Sequence, residues 1–165
     1  MEADDSEALD ILEAGGRRFG VHRAQVDDVP ALVALLSDDP LGSAREAASL
    51  EPYLRAFSEI DEDPRHLLTV FRDEEGAVVG TMQLTLVPGL SRGGAMRLQI
   101  EAVRVAQAAR GTGLGGAMIQ WAHRYGRSRG ARLAQLTSDA SREDAHRFYE
   151  RLGYTASHVG FKRDL

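Results

Sequence analysis

One stretch constrains this 165-residue chain more than any other. An apolar, largely β-branched run from Ile100 to Val105 passes through Ala106-Gln107-Ala108-Ala109-Arg110 and reaches four glycines within six positions, Gly111, Gly113, Gly115 and Gly116. A helical pattern then begins at once with Ala117-Met118-Ile119. Such an order reads as strand, loop and helix N-terminus. The first turn of a helix carries N–H groups without partners and the positive end of the helix dipole. Glycines that let a ligand approach that backbone therefore make an anion site, most often for phosphate. The expectation is a phosphorylated ligand at this loop.

Two familiar phosphate motifs fit poorly. Gly111-x-Gly113-x-x-Gly116 matches the letters of the dinucleotide fingerprint, which places its first glycine directly after the strand and an acid about 20 residues further on. Here five residues separate Val105 from Gly111, and Asp139 is the nearest acid downstream. The P-loop also fails, because Leu114-Gly115-Gly116-Ala117 supplies no Lys-Ser/Thr pair at the helix start.

Composition narrows the class. With 43% hydrophobic residues the chain suffices for one well-cored domain, expected over residues 17–165. No apolar run approaches the length of a membrane span and no signal-peptide pattern opens the chain, so a cytoplasmic protein without membrane contact is expected. There is no cysteine, which excludes disulfides, thiolate metal sites and a cysteine nucleophile. Five scattered histidines without an i,i+4 pair suggest no metal site. The net charge of −5 is concentrated in Glu2, Asp4, Asp5, Glu7, Asp10 and Glu13, so residues 1–16 read as a solvated acidic tail. The remainder is close to neutral and does not resemble a nucleic-acid surface.

Along the chain, residues 17–24 alternate as a strand, and Asp27 caps a helix with apolar Val29, Leu32, Val33, Leu35 and Leu36. Residues 38–42 break it, and a second helix over 43–57 presents Leu50, Tyr53, Leu54 and Phe57 as its buried face. Strands follow at 66–71 and 77–87, joined by the turn Asp73-Glu74-Glu75-Gly76, and at 96–105. Arg97, Gln99 and Glu101 share one face of the last of these. A helix over 113–127 buries Met118, Ile119, Trp121 and Ala122. A strand at 131–137, a helix over 141–152 and two final strands at 154–157 and 158–163 complete the pattern. On that helix Ala145, Phe148, Tyr149 and Leu152 form the apolar stripe, and Gly153 is a natural C′ residue.

Arg110-x-x-Gly113-x-Gly115 opening the long helix, with Ala145-His146-Arg147-Phe148-Tyr149-Glu150-Arg151-Leu152-Gly153-Tyr154 after the next strand, resembles the GCN5-related N-acetyltransferase (GNAT) superfamily. The resemblance implies a mixed α/β fold: a mostly antiparallel sheet of six to seven strands, splayed between the fourth and fifth, with about four helices. It implies acetyl-CoA as donor, with the backbone of Val103, Arg104 and Val105 pairing with the pantetheine arm. The amides of Arg110, Gly111, Thr112, Gly113, Leu114, Gly115 and Gly116 would hold the pyrophosphate. Many members carry asparagine seven residues before the tyrosine; this chain has Arg142, which could reach a CoA phosphate or pantetheine carbonyl instead. A homodimer is implied as well.

Acetyl transfer to an amine needs a neutral nucleophile, a stabilised oxyanion and a proton for the departing thiolate. A lysine-like amine of pKa about 10.4 is neutral in about one molecule per thousand at pH 7, so a base or a desolvating pocket is required. Glu101, two residues before the cofactor-pairing segment, is the candidate base, acting directly or through an ordered water and aided by burial. The alternative is a structural partner of Arg97, Arg104 or a substrate ammonium. A backbone N–H near Val103 would meet the oxyanion. Tyr149 is the candidate acid, because the resemblance implies a tyrosine near the CoA sulfur there; its alternative is a core aromatic beside Phe148. His146 and His158 read as hydrogen-bonded surface residues rather than catalysts. The function expected is transfer of an acetyl group to a primary amine of a small molecule, by direct attack in a ternary complex. Acetylation of a protein lysine or N-terminus remains open, as does a non-catalytic acyl-CoA-binding module. Residues 38–65 and 88–95 are where an acceptor pocket would be built.

Overall fold

The structure, a computed structural model, describes residues 7–38, 40–46 and 49–165. These form two compact units, one running to Gln135 and the other from Leu136 to Leu165.

The first unit is a six-stranded sheet in sequential order: β1 (Asp10–Ala14), β2 (Arg17–Arg23), β3 (His66–Arg72), β4 (Val78–Val87), β5 (Met96–Val105) and β6 (Ala131–Gln135). Neighbours are antiparallel except β5 and β6, which run parallel. Helices α1 (Val29–Ser37), α2 (Pro40–Arg45) and α3 (Glu51–Glu62) lie between β2 and β3. A helical turn α4 (Ser91–Gly94) joins β4 to β5, and α5 (Leu114–Ser128) joins β5 to β6.

Strand alternation divides the core between the two faces of the sheet. Leu67 and Phe71 of β3, Leu84 and Leu86 of β4, and Leu98 and Ile100 of β5 are buried on one face. There α5 contributes the buried Met118, Ile119, Trp121 and Ala122, as its periodicity predicts. Gly126 of α5 sits so close to the sheet that a Cβ would lie 2.9 Å from Leu98 Cδ2. On the other face, Val70 packs with Ala24 and with Leu32 of α1, and Phe57 of α3 covers their edge.

The acidic N-terminal segment enters the sheet instead of remaining a tail from Asp10 onwards; residues 1–6 lie outside the described residues. Ala14 pairs with Arg17 across Gly15-Gly16, whose φ values of 57° and 74° make a two-residue hairpin turn with both central residues left-handed. Only Leu12 of β1 is buried, and Asp10 reaches Arg124 of α5 at 3.7 Å. A strand with charges on its solvent face can thus look like a tail in a count of acids.

Two other expectations for the first unit change. Residues 43–57 are not one helix: α2 ends at Arg45, and α3 starts at Glu51 and buries no residue, leaving Leu50 and Leu54 largely exposed. The residue that organises the start of α1 is Asp28 rather than Asp27. Its carboxylate accepts the Gln25 N–H at 2.9 Å and the Arg72 guanidinium at 2.5 Å, tying the helix entry to β3. The turn after β3 is as expected, with Asp73 Oδ1 accepting the N–H groups of Glu75 and Ala77.

The second unit holds α6 (Glu143–Arg151), which ends at the left-handed Gly153, φ 92°. The two strands expected at 154–157 and 158–163 do not form. Residues 154–165 have no strand partner among the described residues, and Val159 and Phe161 are exposed. Alternation alone makes no strand without a hydrogen-bonded neighbour. Among the described residues six strands result, because β1 is gained as those two are lost, and six α-helical segments stand where about four were expected, the additions being the separate α2 and the short α4. Among the described residues, no helix is long and apolar enough to cross a membrane.

Candidate active site at the open half of a central strand

The site starts with a change of pairing along β5. From Arg97 to Gln99 the strand has neighbours on both sides, with Gln99 opposite Gln135 as the last pair to β6. Beyond that, Ile100 to Val105 pairs with β4 alone. This is the splay expected between the fourth and fifth strands counted from Arg17, which are β5 and β6. Within the same stretch the register with β4 slips: Gln83 faces Glu101, Thr81 faces Arg104, and Met82 is left opposite both Ala102 and Val103. Ala102 absorbs the slip with φ 52°, a left-handed conformation that alanine adopts only under constraint.

After the bulge, Ala106 donates its N–H to Val79 O at 2.7 Å, so alternation turns the N–H and C=O of Val103 and Val105 toward the open side. Two guanidiniums meet those carbonyls. Arg104 Nη1 donates to Val103 O at 2.9 Å, and Arg110 Nε donates to Val105 O at 3.2 Å. Arg110 also reaches Asp38 Oδ2, just past the end of α1, at 3.2 Å. Its side chain thus bridges α1 and β5, while its backbone opens the glycine loop.

The loop itself is tightly specified. A 3-10 turn over Gln107–Ala109 leads through Arg110 to Gly111, φ 78°, and Gly113, φ 87°, the residue that caps α5. Thr112 Oγ1 donates to Ala109 O at 2.7 Å and accepts the Leu114 N–H at 3.2 Å, and the Ala117 N–H goes to Gly113 O. The amides of Gly113, Gly115 and Gly116 donate to no other group among the described residues. At Gly111, Gly113 and Gly116 a Cβ would meet nothing within 4 Å, so these backbones face open space. Orphan donors at a helix start with clear access are the arrangement that a pyrophosphate needs.

Behind the loop stands the N-terminal hairpin. A Cβ at Gly15 would fall 2.8 Å from Thr112 O, and Arg17 Nη1 donates to Ala108 O at 3.2 Å. Sequence reading misses this support. Its signal was present in Gly15-Gly16, a two-residue hairpin turn flanked by strand-like residues.

The face of β5 opposite α5 is polar. Glu101 is exposed and its carboxylate forms no hydrogen bond or ion pair among the described residues, so it is a partner of neither Arg97 nor Arg104. The chain by itself does not bury this carboxylate. Next to it, Gln99 Oε1 accepts from Gln135 Nε2 at 2.6 Å. On β4, Gln83 Nε2 and Thr85 Oγ1 lie 3.3 and 3.0 Å from Nδ1 of His66 on β3. Asp63, beside His66, is held down at about 2, chiefly by its hydrogen bonds with Arg65.

Tyr149 and Arg142 belong to the second unit. Tyr149 packs edge-on between Phe148 and Tyr154, with ring centroids 5.0 and 5.8 Å away. Burial, with a further push from Tyr149, raises the Tyr154 phenol to about 12. Arg142 is the exposed N-cap residue of α6. His146 Nε2 lies 2.9 Å from Asp139 O, and His158 Nδ1 lies 2.7 Å from Ser157 Oγ, so both are engaged locally.

A splayed sheet whose open strand feeds a glycine loop and a helix defines a class of protein, and comparison with known proteins agrees. The model of the acetyltransferase (GNAT) family matches residues 29–154, and the chain belongs to that family. It is 39% identical over 67 residues to the aminoalkylphosphonate N-acetyltransferase of Salmonella typhimurium, covering 41% of this chain and 44% of that protein. It is 37% identical over 90 residues to the glucosamine 6-phosphate N-acetyltransferase of Trypanosoma brucei brucei, covering 54% and 59%. The chain thus spans about half the length of the curated relatives it matches. Among solved structures, a protein of Bacillus halodurans C-125 described as a transcriptional regulator superposes with a TM-score of 0.84 at 41% identity, over 89% of this chain and 99% of that one.

Proposed function

We propose that this protein transfers the acetyl group of acetyl-CoA to a primary amine of a small molecule, by direct attack with both substrates bound. The observation that carries the reading is the open half of β5 running into a glycine loop in which the amides of Gly113, Gly115 and Gly116 donate to no other group among the described residues. Acetyl-CoA supplies an activated thioester. In this reading the backbone of Val103 and Val105 orients its pantetheine arm, with Arg104 on the same segment, and the amides of Gly113, Gly115 and Gly116 hold its pyrophosphate, those of Arg110 and Leu114 being given to Gln107 O and Thr112 Oγ1. Arg142 adds a charge-assisted contact.

Glu101 then takes a proton from the acceptor ammonium. Since the carboxylate is exposed in the chain alone, an ordered water or the bound acceptor provides its environment. Tyr149 hands its phenolic proton to the departing sulfur, a transfer between groups of comparable basicity. Both curated relatives are named for amines that carry a phosphorus oxyanion, which favours a small-molecule acceptor over a protein lysine or N-terminus.

The deciding experiment measures thiol release from acetyl-CoA across amino sugars, aminoalkylphosphonates, polyamines, amino acids and lysine or N-terminal peptides, with calorimetric CoA binding alongside. Release with a small amine and none with the peptides is expected, and Tyr149→Phe lowers kcat with little change in acetyl-CoA affinity. Absence of CoA binding overturns the reading. One observation favours a second reading, an acyl-CoA-binding module without turnover: the Bacillus halodurans relative is described as a transcriptional regulator. Tight CoA binding with no release from any amine is the result that reading requires. The homodimer implied by the family resemblance is checked by sedimentation.

A further inference from the structure

The polar face of β5 contains one cation whose charge is unanswered. Arg97 shares that face with Gln99 and Glu101, since Leu98 and Ile100 between them are buried on the α5 side. Apart from Glu101, the other polar groups nearby are paired: Gln99 with Gln135, Gln83 and Thr85 with His66, and Asp63 with Arg65. Arg97 is partly buried, yet its guanidinium forms no hydrogen bond or ion pair among the described residues. Its strand neighbours are apolar, Val87 on β4 and Leu133 on β6. Beside it runs the β4–β5 loop, where Nη2 would lie 3.8 Å from a Cβ at Gly89, so the absence of a side chain there keeps room around the cation. Drawing a cation partly out of water without a partner is costly, and such a group is well suited to answer an anion brought by a ligand.

We propose that Arg97 binds an anionic group of the acceptor, so that the preferred substrate is a primary amine bearing a phosphate, phosphonate or carboxylate. This rests on the reading of Glu101 as the group that receives the amine. Four residues of strand separate the two, about 13 Å between Cα atoms at about 3.3 Å per residue. Side chains of this length can span part of that interval, and what remains suits a small bifunctional molecule. A planar guanidinium takes a phosphoryl or carboxylate group through two parallel hydrogen bonds, which fixes the anionic end and aims the amine along the strand toward Glu101.

The test compares 2-aminoethylphosphonate with ethanolamine, and glucosamine 6-phosphate with glucosamine, using the full chain saturated with CoA for binding or acetyl-CoA for turnover. In the wild type the anionic member of at least one pair binds more tightly by calorimetry and has the higher kcat/KM. Arg97→Met lowers both quantities for that acceptor by about tenfold to a hundredfold, the range of a hydrogen bond to a charged group. The neutral partner stays within about twofold, and Arg97→Lys restores part of the loss because it keeps the charge but not the fork. Unchanged thermal unfolding and unchanged CoA affinity confirm that the variants fold. Equal losses for anionic and neutral acceptors, or no preference for the anionic member of either pair in the wild type, overturn the proposal. Binding is read without turnover, so the two readings fail separately: anion-selective binding that depends on Arg97 stands even if no acceptor is acetylated.

Discussion

The two halves of β5 belong to one continuous strand and do different work. From Arg97 to Gln99 the strand is paired on both sides, and its inward Leu98 is locked beneath Gly126 of α5. From Ile100 to Val105 it is paired on one side only, bulged at Ala102, and its outward carbonyls are met by arginine side chains. The paired half spends its backbone hydrogen bonds on the sheet. The open half forms none with a strand on one edge, and an edge with unmet N–H donors is a template for an extended amide-bearing ligand. A strand therefore becomes a binding element not by its composition but by what its neighbour declines to cover.

The largest expected effect lies where the open half ends. Gly113→Glu places bulk and negative charge at a left-handed cap whose neighbours keep their amides unpaired, and CoA binding is abolished in calorimetry while circular dichroism shows the fold retained. The paired half should answer in the opposite sense. Leu98→Ala costs about 2–5 kcal/mol in denaturant melts through the cavity it leaves, with CoA affinity of the folded protein unchanged. Loss of CoA affinity in that variant breaks the division of labour. Glu101→Gln, on the open half, lowers kcat about a hundredfold without altering acetyl-CoA affinity or stability; equal turnover returns Glu101 to an ordinary solvated residue.

The smallest effect is a control away from β5. Burial raises the Tyr154 phenol to about 12, so the folded protein holds its proton more tightly than the unfolded chain, whose tyrosines ionise near about 10. Stability from this group is complete below about pH 10 and is lost as the pH climbs toward about 12. Ultraviolet titration should show one tyrosine ionising last, and Tyr154→Phe should remove that step. CoA affinity at neutral pH does not change.

Legibility followed the range of the interactions. The helix α5 and its buried stripe could be read because periodicity and glycine punctuation are local signals. The glycine loop was equally plain, since left-handed backbone at Gly111 and Gly113 is a property those residues carry themselves. Ala102 was not: nothing about alanine announces φ 52°, and the bulge exists because Gln83 and Thr81 hold the register on either side of it. The strand β1 had a local signal in Gly15-Gly16, masked by the acids around it. Val159 and Phe161 alternate like strand residues, but alternation reports a preference and pairing needs a partner.

The sequence by itself determined the family, the order of the strands from β2 to β6 with α5 and α6 in their places, and the position of the glycine loop, because each of these depends on neighbours a few positions apart. Only the tertiary structure decided where β6 leaves β5, which carbonyls then face outward, that Glu101 stands exposed, and that Arg97 has no counter-ion. Those are properties of residues far apart in the chain. They depend on which strand ends first and which side chain finds a partner, and no local pattern encodes either.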